Sequence, residues 1–159
     1  MTELPSAFGD LIERIDHISM AVWSLAAAVP LAELVGGNFR TGGIQRRDNF
    51  KWAQWDLPKG KLEMVEPLDP EDEGSFLVRF LRTRGEGLHH LTFKVTDIAA
   101  AVAKAEDLGF VVTGYNAEHE GWKEAFVHPG SSHGVLIQLA EFPDSPMPEH
   151  TLDDVISMR

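Results

Sequence analysis

Four side chains in this chain have the chemistry to hold a cation: His17, Glu63, His90 and Gln138. Two imidazoles, one carboxylate and one amide oxygen suit a divalent first-row metal such as Co, Ni, Mn, Zn or Fe. Four protein ligands on a six-coordinate ion leave two positions for water or substrate. With a single carboxylate the site stays net positive, so it favours an anionic or enolate oxygen. An isolated histidine on a strand is more often an ordinary core or surface residue, so the case rests on how the four are placed.

Their placement follows from an internal repeat. Sliding the sequence by 73 positions brings His17 onto His90 and Val22 onto Val95 without a gap. The run Ala26 to Val29 falls on Ala99 to Val102, Ala32 and Glu33 fall on Ala105 and Glu106, and Gly36 falls on Gly109. Alanine-rich composition alone does not produce matched histidine, valine and glycine in one register. With small shifts, FKWAQWDLP from Phe50 resembles WKEAFVHPG from Trp122. KLEMVEP from Lys61 resembles LIQLAEF from Leu136, which sets Glu63 opposite Gln138 and Glu66 opposite Glu141.

Each copy reads as βαβββ. RIDHISMAV (14–22) and GLHHLTFKV (87–95) alternate as half-buried strands do. Ser24 and Asp97 are suitable N-caps for the alanine-rich helices, which end at Gly36 and Gly109. Pro30 is expected to shorten or kink the first helix. Further strands are expected near 38–46, 50–57 and 61–66, and again near 111–118, 122–128 and 135–142. Alternation puts His17 with Ile15, Ser19 and Ala21 on one face, and His90 with Thr92 and Lys94 on the matching face. Glu63 and Gln138 face away from their oily neighbours on the last strands. If the copies pair about a local two-fold axis, all four converge.

The boundaries that result are an N-terminal extension (1–12), a first module (13–67), a linker (68–86), a second module (87–142) and a tail (143–159). The linker carries SFLVRFLRTRG, a short helix capped by Ser75 and stopped by Gly85. In the tail, Thr151 caps a final turn or two. The fold class is α+β, with two tandem βαβββ modules forming one cupped mixed sheet around a metal site.

Bulk composition narrows the partners. The chain has 159 residues and a formal net charge of -11, with 25 Asp plus Glu against 14 Lys plus Arg. Such a surface repels phosphate backbones and anionic lipid, so nucleic acid and membrane are excluded as first partners and a small-molecule substrate is expected. With no cysteine, disulfides, thiolate ligands and Cys nucleophiles are absent, which fits a cytoplasmic setting. MTELPSAFGDLIER has no basic region ahead of an apolar run, and no stretch reaches the ~18 apolar residues of a membrane span.

RIDHISMAV, SFLVRFLRTRGEGLHHLTFKV, EAFVHPGSSHGVLIQLAEF and KLEMVEP together resemble the vicinal oxygen chelate superfamily, the glyoxalase/bleomycin resistance/dioxygenase proteins. Within it the resemblance is to methylmalonyl-CoA epimerases, over roughly residues 13–142. It implies a metal at His17, Glu63, His90 and Gln138, an acyl-CoA or related α-substituted carbonyl substrate, an enolate route and a homodimer. The epimerases typically carry Gln at the position of Glu63 and Glu at that of Gln138, so the two are exchanged here. Their second acid/base glutamate falls where this chain reads Gln45, Arg46 and Arg47.

An amide at 138 does not exchange protons. Either Glu63 acts as a single base, as in glyoxalase-type isomerases, or the substrate differs. Arg46 and Arg47 offer a carboxylate- or phosphate-binding pair, or a solvated loop. His133 offers a pocket gate or an acid/base, or an exposed turn. The competing functions are a non-haem iron dioxygenase using His17, His90 and Glu63, and a non-catalytic binding or resistance protein.

Overall fold

The computed structural model describes residues 9–144 and 149–159. MTELPSAF and the tail prolines at 146 and 148 lie outside the described residues. The two βαβββ repeats are present. The first runs β1 (Ile12–Ala21), α1 (Leu25–Leu34), β2 (Asn38–Gln45), β3 (Phe50–Leu57) and β4 (Gly60–Pro67). The linker helix α2 (Phe76–Arg84) follows. The second repeat is β5 (Gly87–Val95), α3 (Ile98–Asp107), β6 (Val112–His119), β7 (Trp122–Val127) and β8 (Ile137–Glu141), and α4 (Leu152–Ser157) closes the chain. The architecture is mixed α+β.

The chain divides into two compact units. Among the described residues, one comprises 17–89 with 149–159 and the other 9–16 with 90–144. β1 and β5 each contribute residues to both.

In the unit holding most of the first repeat, the strands run β2-β3-β4-β1. β4 pairs parallel with β1 and antiparallel with β3, and β3 pairs antiparallel with β2. One face carries Ala53, Trp55, Leu62 and Met64, packed with Val22 and Leu25 at the start of α1 and with Val155 of α4. Val155 and Met64 are fully buried. The tail therefore completes this core. Thr151 and Asp154 form a capping box at the start of α4. At its other end the buried Lys51 ammonium donates to the carbonyls of Ile156 (2.7 Å) and Met158 (3.4 Å). A cation there suits the negative end of the helix dipole. The opposite face carries Ala21 and Val65 against Leu77 and Leu81 of α2.

The other unit repeats the plan. Its strands run β5-β8-β7-β6, with β8 parallel to β5 and antiparallel to β7. α3 buries Ile98 and Ala101 against Val95, Ala125, Val127 and Leu139. Ile12, at the start of β1, packs on this cluster.

One device recurs in both repeats. Glu66 accepts a hydrogen bond from the Leu25 backbone N–H at 2.7 Å and sits 3.4 Å from the Lys51 ammonium. Glu141 accepts from the Ile98 N–H at 2.8 Å and sits 3.2 Å from Lys123. The first N–H groups of a helix have no intrahelical partner, so each carboxylate satisfies one and places its charge at the positive end. The device ties the end of each last strand to the start of each helix.

The caps match the sequence expectations: Ser24, Ser75, Asp97 and Thr151 each accept from a first-turn N–H. Two elements differ. α1 runs through Pro30. Ala26, whose carbonyl loses its partner there, is exposed and can be hydrated. β8 begins at Ile137, because Val135 N–H turns back to the Ser132 carbonyl.

Gly42 sits where β3 and α4 crowd β2. A Cβ there would lie 2.5 Å from the Trp52 carbonyl and 2.8 Å from Val155 Cγ2. Gly42→Ala is expected to lower stability by about 1–3 kcal/mol through overpacking, read as a lower urea midpoint.

Candidate functional site

Parallel pairing of β1 with β4 sets Ser19 beside Glu63, with His17 two residues back on the same face. β3 sets Gln54 on the other side of Glu63. The carboxylate is held from both sides: Ser19 Oγ donates to Oε1 at 2.9 Å, and Gln54 Nε2 donates to Oε2 at 2.8 Å. His17 Nε2 lies 3.6 Å from Glu63 Oε1, and the imidazole is buried at 2% exposure. That separation exceeds a hydrogen bond but is less than two metal–ligand bonds of about 2.1 Å end to end. The pair therefore suits two ligands of one cation. A hydroxyl and an amide, both neutral donors, fix its orientation.

The second repeat builds the same arrangement with different groups. Parallel pairing of β5 with β8 sets Thr92 beside Gln138, and His90 lies two residues before Thr92 on the same face. Thr92 Oγ1 donates to Gln138 Oε1 at 2.6 Å, as Ser19 does to Glu63. Phe126, paired with Gln138 across β7, meets the His90 ring edge-on at 6.3 Å. Gln138 Nε2 donates to Glu124 Oε2 at 2.6 Å. An ionised carboxylate only accepts, so this bond fixes which end of the amide faces Glu124.

Glu124 is the site residue that the sequence reading missed. Aligning the repeats matches it to Trp52, which hides its chemistry. The alternation in WKEAFV carries the available signal: Glu124 shares a strand face with Phe126, and hence with Gln138.

The other candidates lie elsewhere. Arg46 and Arg47 are exposed on a 3-10 turn after β2 (Arg46–Asp48), closed by Asn49 in the left-handed region. From Phe50, where β3 begins, to Gln54 beside Glu63 is about 13 Å along the strand. His133 is exposed and takes a left-handed conformation at φ 57° after the turn Pro129–Ser131. His128 has a local role, its Nδ1 accepting from Gly130 N–H at 3.0 Å. His89 packs against Phe76 and Phe80 of α2, at 5.6 and 4.7 Å between ring centroids.

The sequence model of the Glyoxalase/Bleomycin resistance protein/Dioxygenase superfamily matches residues 16–126. The chain belongs to this superfamily. It is 29% identical over 136 residues to an ethylmalonyl-CoA/methylmalonyl-CoA epimerase of Cereibacter sphaeroides, covering 82% of this chain and 99% of that one. The crystal structure of methylmalonyl-CoA epimerase from Mycobacterium tuberculosis superposes with a TM-score of 0.73 at 25% identity, over 84% of this chain and 91% of that one. A Streptomyces coelicolor methylmalonyl-CoA epimerase variant in complex with 2-nitronate-propionyl-CoA gives 0.70 at 27% identity, over 82% and 98%. The fold is that of the vicinal oxygen chelate proteins.

Burial against α2 lowers His89 to about 4, and the Glu63 charge opposes the shift in part. The unfolded imidazole titrates near 6.5. Between about 6.5 and 4 the unfolded chain therefore binds more protons, and stability falls as pH falls through that window. His89→Phe is expected to flatten the dependence of the urea midpoint on pH there, by at most about 1.4 kcal/mol per pH unit.

Proposed function

We propose that the chain is a divalent-metal-dependent isomerase or lyase that moves a proton at the α-carbon of an acyl-CoA or related carbonyl compound through an enolate. Epimerisation of an α-substituted acyl-CoA is the leading reaction. The observation that carries this is the buried His17 beside a Glu63 carboxylate that neutral donors hold in place, with the same plan repeated at His90 and Gln138. His17, Glu63 and His90 each offer one donor atom for a metal, and Gln138 Oε1 is assigned as the fourth ligand.

The donor set fits a divalent ion of the Co, Ni, Mn, Zn or Fe group. When bound, the metal supplies Lewis-acid polarisation of the substrate carbonyl, which lowers the cost of enolate charge. The chain's own residues do the rest. Ser19 and Gln54 hold Glu63 in one orientation, and Thr92 holds the Gln138 oxygen. Glu63 acts as a base at the α-carbon. Arg46 and Arg47 bind the anionic part of the substrate from their exposed turn, and His133 contributes a further exposed polar contact. A homodimer and a cytoplasmic setting complete the reading. No helix among the described residues is long and apolar enough to cross a membrane.

Reconstituted protein is expected to hold about one divalent ion per chain by elemental analysis, and His17→Ala to lose most of it. In D2O, methylmalonyl-CoA is expected to gain deuterium at its α-carbon. A protein without stoichiometric metal and without wash-in overturns the reading. Replacing Arg46 and Arg47 with Ala is expected to raise KM with little change in kcat, the pattern of lost uniform binding in steady-state kinetics.

A further inference from the structure

Each repeat pairs one carboxylate with one amide, and the two repeats place them on opposite strands. In the first, the carboxylate is on the last strand (Glu63) and the amide on the third (Gln54). In the second, the amide is on the last strand (Gln138) and the carboxylate on the third (Glu124). The second repeat thus carries its carboxylate on β7, within hydrogen-bond distance of the Gln138 amide.

The surroundings of Glu124 suit more than a passive partner. Its Oε2 is anchored by two N–H donors, Gln138 Nε2 at 2.6 Å and Trp122 Nε1 at 2.8 Å. Trp122 is itself held by stacking on Phe142, with centroids 4.8 Å apart and planes 18° from parallel. Oε1 accepts no hydrogen bond among the described residues. The carboxylate is half-buried on the strand face that carries Phe126 and Gln138. One oxygen fixed by a rigid indole and an oriented amide, with the other open, is how a general base is held ready.

We propose that Glu124 is the acid/base group of the second repeat, exchanging the α-proton that the amide of Gln138 does not. This rests on the enolate reading above. In the forward step the open Glu124 oxygen takes the proton from the α-carbon. The C–H electron pair forms the enolate double bond, and the carbonyl π pair moves onto the carbonyl oxygen. In the reverse step protonated Glu124 returns the proton to carbon and the carbonyl re-forms. A carboxylate reaches the α-carbon from one face, so Glu124 serves one of its two configurations.

The test is deuterium wash-in from D2O, measured separately on the two epimers of methylmalonyl-CoA with wild type, Glu124→Gln and Glu124→Ala. Glu124→Gln keeps an oxygen that accepts from Gln138 Nε2 and Trp122 Nε1 but does not exchange protons. It is expected to slow wash-in by at least about 100-fold for one epimer and to leave the other within about threefold, with metal content and thermal midpoint unchanged. If Glu124→Gln washes in both epimers at wild-type rates and only Glu124→Ala fails, Glu124 merely holds Gln138 and the assignment is overturned. Equal loss on both epimers, or loss of metal or stability in Glu124→Gln, also overturns it. Wild type inert towards both epimers is a different result: it overturns the enolate reading itself, and this assignment with it.

Discussion

A hydroxyl two residues beyond a histidine, bonded to an oxygen on the neighbouring parallel strand, is the contact on which the rest of this molecule depends. Ser19 makes it to Glu63 and Thr92 makes it to Gln138. It exists because β1 lies parallel to β4 and β5 parallel to β8. Parallel neighbours need a long crossover, and each repeat supplies one from a helix and two antiparallel strands. The helix buries the oily face of its sheet and leaves the polar face for the histidine, the hydroxyl and the oxygen.

The crossover must also be held at its ends. The Lys51–Glu66 and Lys123–Glu141 pairs do so by giving the first helical N–H a half-buried acceptor. In each repeat the anchoring glutamate lies three residues after the candidate ligand on the same strand, and so on the opposite face. One short strand thus presents a polar ligand to one side and a helix anchor to the other. The period of two along a strand makes that possible.

The paired copies match most closely at the positions that hold the fold. Caps, anchors and helix-facing residues match between repeats. The alternate positions of the third strands do not: Gln54 aligns with Phe126 and Trp52 with Glu124. Of these, Gln54 donates to Glu63 and Glu124 accepts from Gln138. A carboxylate and an amide persist in both halves, bonded to each other across adjacent strands. No buried side-chain polar atom lacks a partner among the described residues.

Local rules made much of this readable from the chain alone. The 73-residue offset, the caps at Ser24, Ser75, Asp97 and Thr151, and the facing of His17 and His90 depend on spacing and side-chain chemistry within a few residues. Aligning the repeats also set Glu63 opposite Gln138. Other features needed the tertiary structure. Val155 becomes core, and Lys51 a buried cation at the end of α4, only because the tail returns to β2 and β3, and nothing in TLDDVISMR states where it docks. Glu124 becomes a neighbour of Gln138 only through the register of β7 with β8, which is set by pairing across the turn at Pro129–Ser131. Periodicity assigns a residue to a face, but register decides which residues on that face touch, and register is a property of two strands together.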